Sequence, residues 1–244
     1  MKRQVVFFGM VLLGLGANAQ WQDIPLEEFS GVILGIEGKI PVGSSYAYRA
    51  KYLFFEEPNS TDTTLAYDFE LCYQAERTHF YMSQFGREVI QNADIQVICD
   101  TAVKQLVLLR PEETYLHRKT TEDFALLLNS KCKAQKKIFG KNTVYYLTFA
   151  EGVRYHGAEM WLTNQGLVSK YILYTANDVL DDSQEIDRII HPRMEIHFTD
   201  YKFGKQAEEL QPKGIPSFFS DLKTKTPASK YKDFEIIDLR TEIK

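Results

Sequence analysis

The sequence predicts a mainly β fold with some α (α+β): a single strongly curved antiparallel sheet with one or two covering helices. Three observations predict it. Alternation of large apolar and polar residues, the period of a half-buried strand, recurs from Tyr46 to Tyr201. The runs are separated by short stretches of turn formers, which favours antiparallel neighbours, because parallel strands need crossovers of a dozen residues or more. Only two segments carry a helical period.

The chain begins MKRQVVFFGMVLLGLGANAQ. Lys2 and Arg3, the apolar run Val5 to Leu15 and the small residues Ala17-Asn18-Ala19 match the three parts of a cleavable export signal. The expected organisation is a signal peptide over 1–19 and one domain over 20–244. The apolar run is shorter than the roughly 20 residues of a membrane span, no later stretch replaces it, and no cysteine at the cut invites a lipid anchor. A periplasmic protein without a transmembrane segment is expected, with secretion as the alternative.

After the leader, Pro25 with Leu26 and Phe29 marks a first short helix. Tyr46, Tyr48, Ala50, Tyr52 and Phe54 then alternate with Arg49 and Lys51, and Tyr67, Phe69, Leu71 and Tyr73 alternate with Asp68 and Glu70. The polar loop Glu56 to Asp62 between them makes a hairpin of long strands. Thr78 to Phe85, Glu88 to Gln91, Ile95 to Cys99, Lys104 to Leu109 and Thr114 to Arg118 continue the series. Thr120 to Lys131 reads as an amphipathic helix, capped by threonine, with Phe124, Leu127 and Leu128 on one face. Strands resume over Thr143 to Phe149, Ala158 to Thr163, Leu167 to Tyr174 and Arg193 to Tyr201, with Gly166 turning the chain between the second and third. Pro212 to Pro227, with Phe218 and Phe219, predicts a turn or short helix tucked under the sheet, and Phe234 to Leu239 an edge strand.

Composition excludes some partners. The full chain carries a formal charge of −4, and losing Lys2 and Arg3 with the leader takes it to −6, which argues against nucleic acid or an anionic membrane surface as a binding partner, since both demand basic patches. Three cysteines, Cys72, Cys99 and Cys132, are too few for a disulfide scaffold; Cys72 with Cys99 is the pair to test for a single bridge, against three small buried side chains. His191, Glu195 and His197 are a tight His/carboxylate cluster without a visible third metal ligand, so a solvated strand face is the plainer reading. The acidic loop Asn177 to Arg188 lacks the central glycine of a calcium loop. There is no nucleophile elbow, no phosphate-binding glycine loop and no Cys-x-x-Cys. No cofactor and no catalytic residue is therefore assigned, and a hydrolase would have to hide its site.

Tyrosine and phenylalanine total thirty, and many share one face of successive strands. A packed core explains this, as does an apolar cavity that a curled sheet with few covering helices leaves unfilled. On alternation alone the cavity residues are Tyr48, Tyr52, Phe54, Phe69, Leu71, Tyr73, Phe80 and Met82, though a slip of register reverses the face.

The order of elements, with Tyr46-Ala-Tyr-Arg-Ala-Lys-Tyr-Leu-Phe-Phe, Val144-Tyr-Tyr-Leu-Thr-Phe, Glu159 to Lys170 and Arg193-Met-Glu-Ile-His-Phe-Thr-Asp-Tyr, resembles the LolA/LolB-like superfamily of periplasmic lipoprotein carriers over most of the mature chain. The resemblance implies an open half-barrel that shields the acyl chains of a lipoprotein or another envelope lipid and needs no enzymatic activity. It assigns no functional residue here; the superfamily's cavity arginine has no clear counterpart, Arg49 included. The other reading is an envelope assembly protein with a solid core, binding a protein partner through an edge strand or an aromatic patch.

Overall fold

Among the described residues, one sheet of thirteen strands, curved and not closed, organises the fold. The structure, a computed structural model, describes residues 20–39, 43–111, 132–149, 155–175, 179–180, 189–190 and 192–240. The expected helix over 120–131 and strand over 114–118 lie outside the described residues.

The sheet is two antiparallel meanders joined edge to edge. The first contains β2 (Tyr46–Phe55), β3 (Leu65–Gln74), β4 (His79–Gln84), β5 (Arg87–Gln91), β6 (Gln96–Asp100) and β7 (Gln105–Leu109). The second contains β8 (Lys133–Phe139), β9 (Asn142–Thr148), β10 (Tyr155–Leu162), β11 (Val168–Thr175) and β14 (Arg193–Phe203). The small pair β12 (Val179–Leu180) and β13 (Ile189–Ile190) branches off between β11 and β14. The seam is β14 against β2, Arg193 opposite Phe55 and Phe203 opposite Tyr46, with a bulge between Thr199 and Lys202 where Asp200 takes φ 56°. Two short strands end the sheet: β1 (Gln22–Ile24) lies antiparallel to β8, and β17 (Glu235–Asp238) lies parallel to β7. The predicted C-terminal edge strand is therefore present, while β1 and β8 were not foreseen.

Alternation sorts the side chains onto two faces. Helix α1 (Leu26–Glu37), with Pro25 as its extended N-cap residue, lays Phe29 and Ile33 on one face of the second meander, against Ala134, Tyr145, Leu147, Met160, Leu162 and Val168. We term this the inner face. Phe198 on β14 touches both Tyr171 and Tyr48, at ring centroid separations of 5.6 and 5.7 Å, so the inner face runs without interruption into the first meander.

The outer face of the first meander is covered by the C-terminal segment. Ala47, Cys72, Tyr81, Ile90, Val97, Cys99, Leu106 and Leu108 pack beneath Ala207, Phe218, Phe219 and Tyr231, all buried. Helix α2 (Lys205–Glu208) is fixed by Gln74, whose side-chain Nε2 amide donates to the carbonyls of Ala207, Glu208 and Leu210 at 3.0 Å each. This ties carbonyls at the end of the helix, where the intrahelical ladder runs out, to the edge of β3. The tucked segment expected over 212–227 is a turn of 3₁₀ helix, Ile215–Ser217, followed by a small hairpin of β15 (Phe219–Asp221) and β16 (Thr226–Pro227).

The Cys72 to Cys99 bridge is not formed: both are free thiols, and all three cysteines are buried. Cys72 on β3 and Cys99 on β6 share the outer face, but β4 and β5 lie between them. Three strand spacings of about 4.8 Å separate the backbones, about twice the reach of a disulfide. Burial pushes both thiols up to about 11, so they behave as small apolar side chains.

Candidate functional site

All eight residues expected to line a cavity fall on the inner face. Register places Tyr48 opposite Leu71, Leu71 opposite Met82 and Tyr73 opposite Phe80, with Tyr52, Phe54 and Phe69 in the same alternation set. They divide by burial. Tyr73 and Phe80 are buried in a small cluster with Val89, against which Leu71 and Met82 pack. Phe69 is 7 % exposed and stacks on Tyr48 at 5.5 Å, whereas Tyr52 and Phe54 are half-buried.

Exposure rises along the strands. At the far end of the β2–β3 hairpin, Leu65 is 52 % exposed and Tyr67 37 %, and Phe85 in the β4–β5 turn is 44 % exposed. Phe85 meets Tyr67 at 4.8 Å, Tyr52 at 5.2 Å and Phe54 at 6.4 Å, the first two edge-on. The turn itself, Phe85 at φ 50° and Gly86 at φ 76°, is of the type that joins twisted strands without splaying them. A non-glycine residue with this backbone conformation is uncommon, and here it holds a phenyl ring at the solvent edge. The result is an aromatic rim joined ring by ring to buried Phe69 and, through Tyr48, to Phe198 and Tyr171.

The electrostatics match an apolar surface. Burial raises the phenol pKa values of Tyr48, Tyr171 and Tyr201 well above the ordinary tyrosine value, with neighbouring tyrosines adding to the shift for Tyr48 and Tyr201. These phenols stay neutral at any physiological pH. Sequence reasoning missed Phe85, Leu65, Phe198 and Tyr171 as neighbours of this strip. The first two sit at or beside turns, where alternation is interrupted, and the last two come from β14 and its neighbour β11, whose place beside β2 no local pattern encodes.

The other cluster flagged in the sequence is an ion network on the outer face. His191 lies outside the described residues. His197 Nε2 stands 2.7 Å from Glu195 Oε2, and Glu195 is also approached by Arg193 Nη2 at 3.0 Å and Lys170 Nζ at 4.0 Å. Glu195 is only 9 % exposed, so the expectation of a solvated strand face is wrong for this residue. Two cationic side chains, Arg193 and Lys170, and the His197 imidazole surround one buried carboxylate, provide the pairing that burial demands and leave it poorly placed for a metal. No group of three metal-binding side chains occurs among the described residues. Arg193 also lies over the Phe55 ring and donates to the carbonyls of Pro58 and Ser60, tying the β2–β3 loop to the seam.

Two clefts among the described residues open on the outer face. The larger, about 570 Å³, is lined by Arg49, Lys51, Asp68, Glu70 and His197 among others, and the smaller, about 240 Å³, lies beside the β14 bulge. Their mixed charges are partly self-paired, Arg49 reaching Glu70 at 3.4 Å and Asp200 at 3.5 Å. Among the described residues no helix is long and apolar enough to cross a membrane.

No family model matches the chain, and no curated protein matches it. Solved structures do. A LolA superfamily protein from Nitrosomonas europaea aligns at 10% identity over 70% of this chain and 91% of its own, with a TM-score of 0.28. An uncharacterised conserved protein from Thermus thermophilus aligns at 7% identity over 86% and 99%, with a TM-score of 0.41. A domain described as an outer membrane lipoprotein-sorting protein, from Vibrio parahaemolyticus, aligns at 12% identity over 77% and 95%, with a TM-score of 0.31. LolA-like structures are thus among those this chain is similar to; superpositions this loose transfer no residue, cavity or cargo, and the open half-barrel is read from the strand order and register above.

Proposed function

We propose that this protein is a periplasmic carrier that shields the acyl chains of a lipoprotein or another envelope lipid against the inner face of its sheet. The observation that carries the reading is the exposure gradient on β2, β3 and the β4–β5 turn: an apolar strip that begins at Phe85, Tyr67 and Leu65 in solvent and ends at buried Phe69. A strip graded in this way offers an acyl chain continuous contact from the surface inward, with neutral phenols along its flank.

The energetics support transfer between binding partners over release into water. Each buried CH₂ is worth about 0.8 kcal/mol, so a chain of roughly 15 carbons gains on the order of 12 kcal/mol gross, before the cost of ordering it. Cargo held this way leaves for a membrane or an acceptor protein.

Native mass spectrometry of protein purified from the periplasm, followed by titration with a fluorescent fatty acid, tests the proposal. Co-purified lipid and saturable uptake are expected. Phe69→Asp should abolish uptake, and Phe85→Asn, at an exposed position whose φ asparagine tolerates, should weaken it five- to thirtyfold (about 1–2 kcal/mol). A folded, delipidated protein that takes up no probe overturns the carrier reading and favours an assembly protein. Full uptake by a folded Phe69→Asp variant refutes the choice of face.

A further inference from the structure

The most exposed large apolar side chain in the described residues is not on the aromatic rim. It is Ile138, at 69 %, and its neighbour Phe139 is 58 % exposed; the two sit side by side at the tip of the β8–β9 hairpin, just before the Gly140-Lys141 turn. Alternation sends Ile138 towards the α1 side and Phe139 towards the outer side, so the tip is apolar on both faces. β1 pairs with β8 only through Ala134 to Lys136. The tip therefore extends beyond the strand that covers its edge.

Its surroundings are basic and aromatic. Residues 132 to 149 contain four lysines, Lys133, Lys136, Lys137 and Lys141, and no acidic residue, in a chain whose formal charge is −4. Lys136 is engaged by Glu28. Lys137 lies 4.0 Å over the Trp21 ring, and Phe139 packs edge-on against Trp161, which has Lys170 4.4 Å over its ring and donates from its indole nitrogen to Glu159 at 2.8 Å. The β10–β11 turn is at the same end of the sheet, because Leu162 pairs with Thr143, and Lys39 lies against its Gly166.

Two protruding apolar residues, tryptophan beside them and lysines around them form the pattern that enters a lipid–water interface: the apolar tip goes below the headgroups, the indole rests at their level, and the ammonium groups meet lipid phosphates. We infer that the β8–β9 hairpin docks the protein on the surface of an anionic lipid bilayer, with Ile138 and Phe139 inserted and Lys137 and Lys141 on the headgroups. A soluble acidic protein would satisfy the lysines but would not explain apolar side chains on both faces of one tip. The inference stands apart from the carrier reading, since this hairpin is in the second meander and the aromatic rim is at the opposite end of the sheet.

Vesicle co-sedimentation tests it, using phosphatidylcholine alone and equimolar phosphatidylcholine and phosphatidylglycerol. The protein has two tryptophans, Trp21 and Trp161, both beside the hairpin, so their emission should shift to the blue on binding. Binding to the anionic vesicles, weakened by salt, is expected. Ile138→Ser/Phe139→Ser should lower it roughly a hundredfold, and Lys137→Glu/Lys141→Glu at least fivefold per charge removed, about the value of one lysine near an anionic surface. All four positions are at the surface, so circular dichroism should be unchanged. No binding to anionic vesicles, or equal binding by the two hairpin variants, overturns the inference; fatty-acid uptake is read separately and fails or succeeds independently.

Discussion

Replacing Lys213 with methionine should destabilise the protein by about 2 kcal/mol, because it leaves a carboxylate beneath the C-terminal segment without its cation. Glu88 is 9 % exposed on the outer face of β5, where Lys213 Nζ donates to both of its oxygens at 2.9 and 2.7 Å. Its other partner is the Tyr81 hydroxyl at 3.4 Å, a phenol pushed up to about 12 by burial and then by Glu88 itself. Breaking a fully buried pair costs 3–5 kcal/mol. Here the Lys213 side chain is 44 % exposed, so water can reach part of the gap and about 2 kcal/mol is the better figure. For a domain of this size that is about 4–8 °C in Tm. Glu88→Gln strands only a half-exposed cation and should cost about 1 kcal/mol, and the double variant should lose about 1–2 kcal/mol in place of the additive value of about 3, a coupling of about 1–2 kcal/mol in a double-mutant cycle. Urea titrations of the four proteins measure it. A Lys213→Met loss below about 0.5 kcal/mol, or strict additivity, would mean that Glu88 is solvated and that the pair does not fasten the segment.

Phe218→Ala should cost about 3–5 kcal/mol, since Phe218 is fully buried and stacks on Tyr231 at 5.2 Å; below its lowered Tm the variant should still take up fatty acid, and a selective loss of uptake would contradict a purely outer-face role for this segment. Asp238 is held well below the usual carboxylate range, first by the Arg240 guanidinium and then by Lys225. Its stabilising contribution is present above the unfolded value near pH 4 and is lost as pH falls through the lower folded value, so Asp238→Asn should flatten the acid limb of a thermal-stability titration below about pH 4; an unchanged limb would refute this.

Local chemistry made much of the first meander legible. The paired alternations of β2 and β3 specify their inner faces because every second residue is a large apolar side chain, and the turn formers between them leave little room for another register. The same logic placed all eight inner-face residues together. β8 was unreadable for an equally physical reason. Lys133-Ala-Gln-Lys-Lys-Ile-Phe has lysines where a strand pattern calls for apolar residues, the composition that guards a sheet edge, and its apolar pair is at a tip instead of in the core. The burial of Glu195 was also hidden, since it depends on Lys170 from the adjacent strand as well as Arg193 and His197 from its own. Cys72 and Cys99 show the reverse error: sharing a face is a local property, and distance across the sheet is not.

The seam has a consequence for how the chain reaches this state. β2 acquires its second neighbour from β14, well over a hundred residues later in the sequence, so no early fragment can complete the middle of the sheet. Until residues 193–203 are available, β2 carries an open row of backbone donors and acceptors beneath some of the most aromatic sequence in the protein, an invitation to pair with another copy. Contacts of such long range also slow folding. A chain built this way closes last at its centre, and its transit time as an unfinished sheet is set by the strand that arrives near the end.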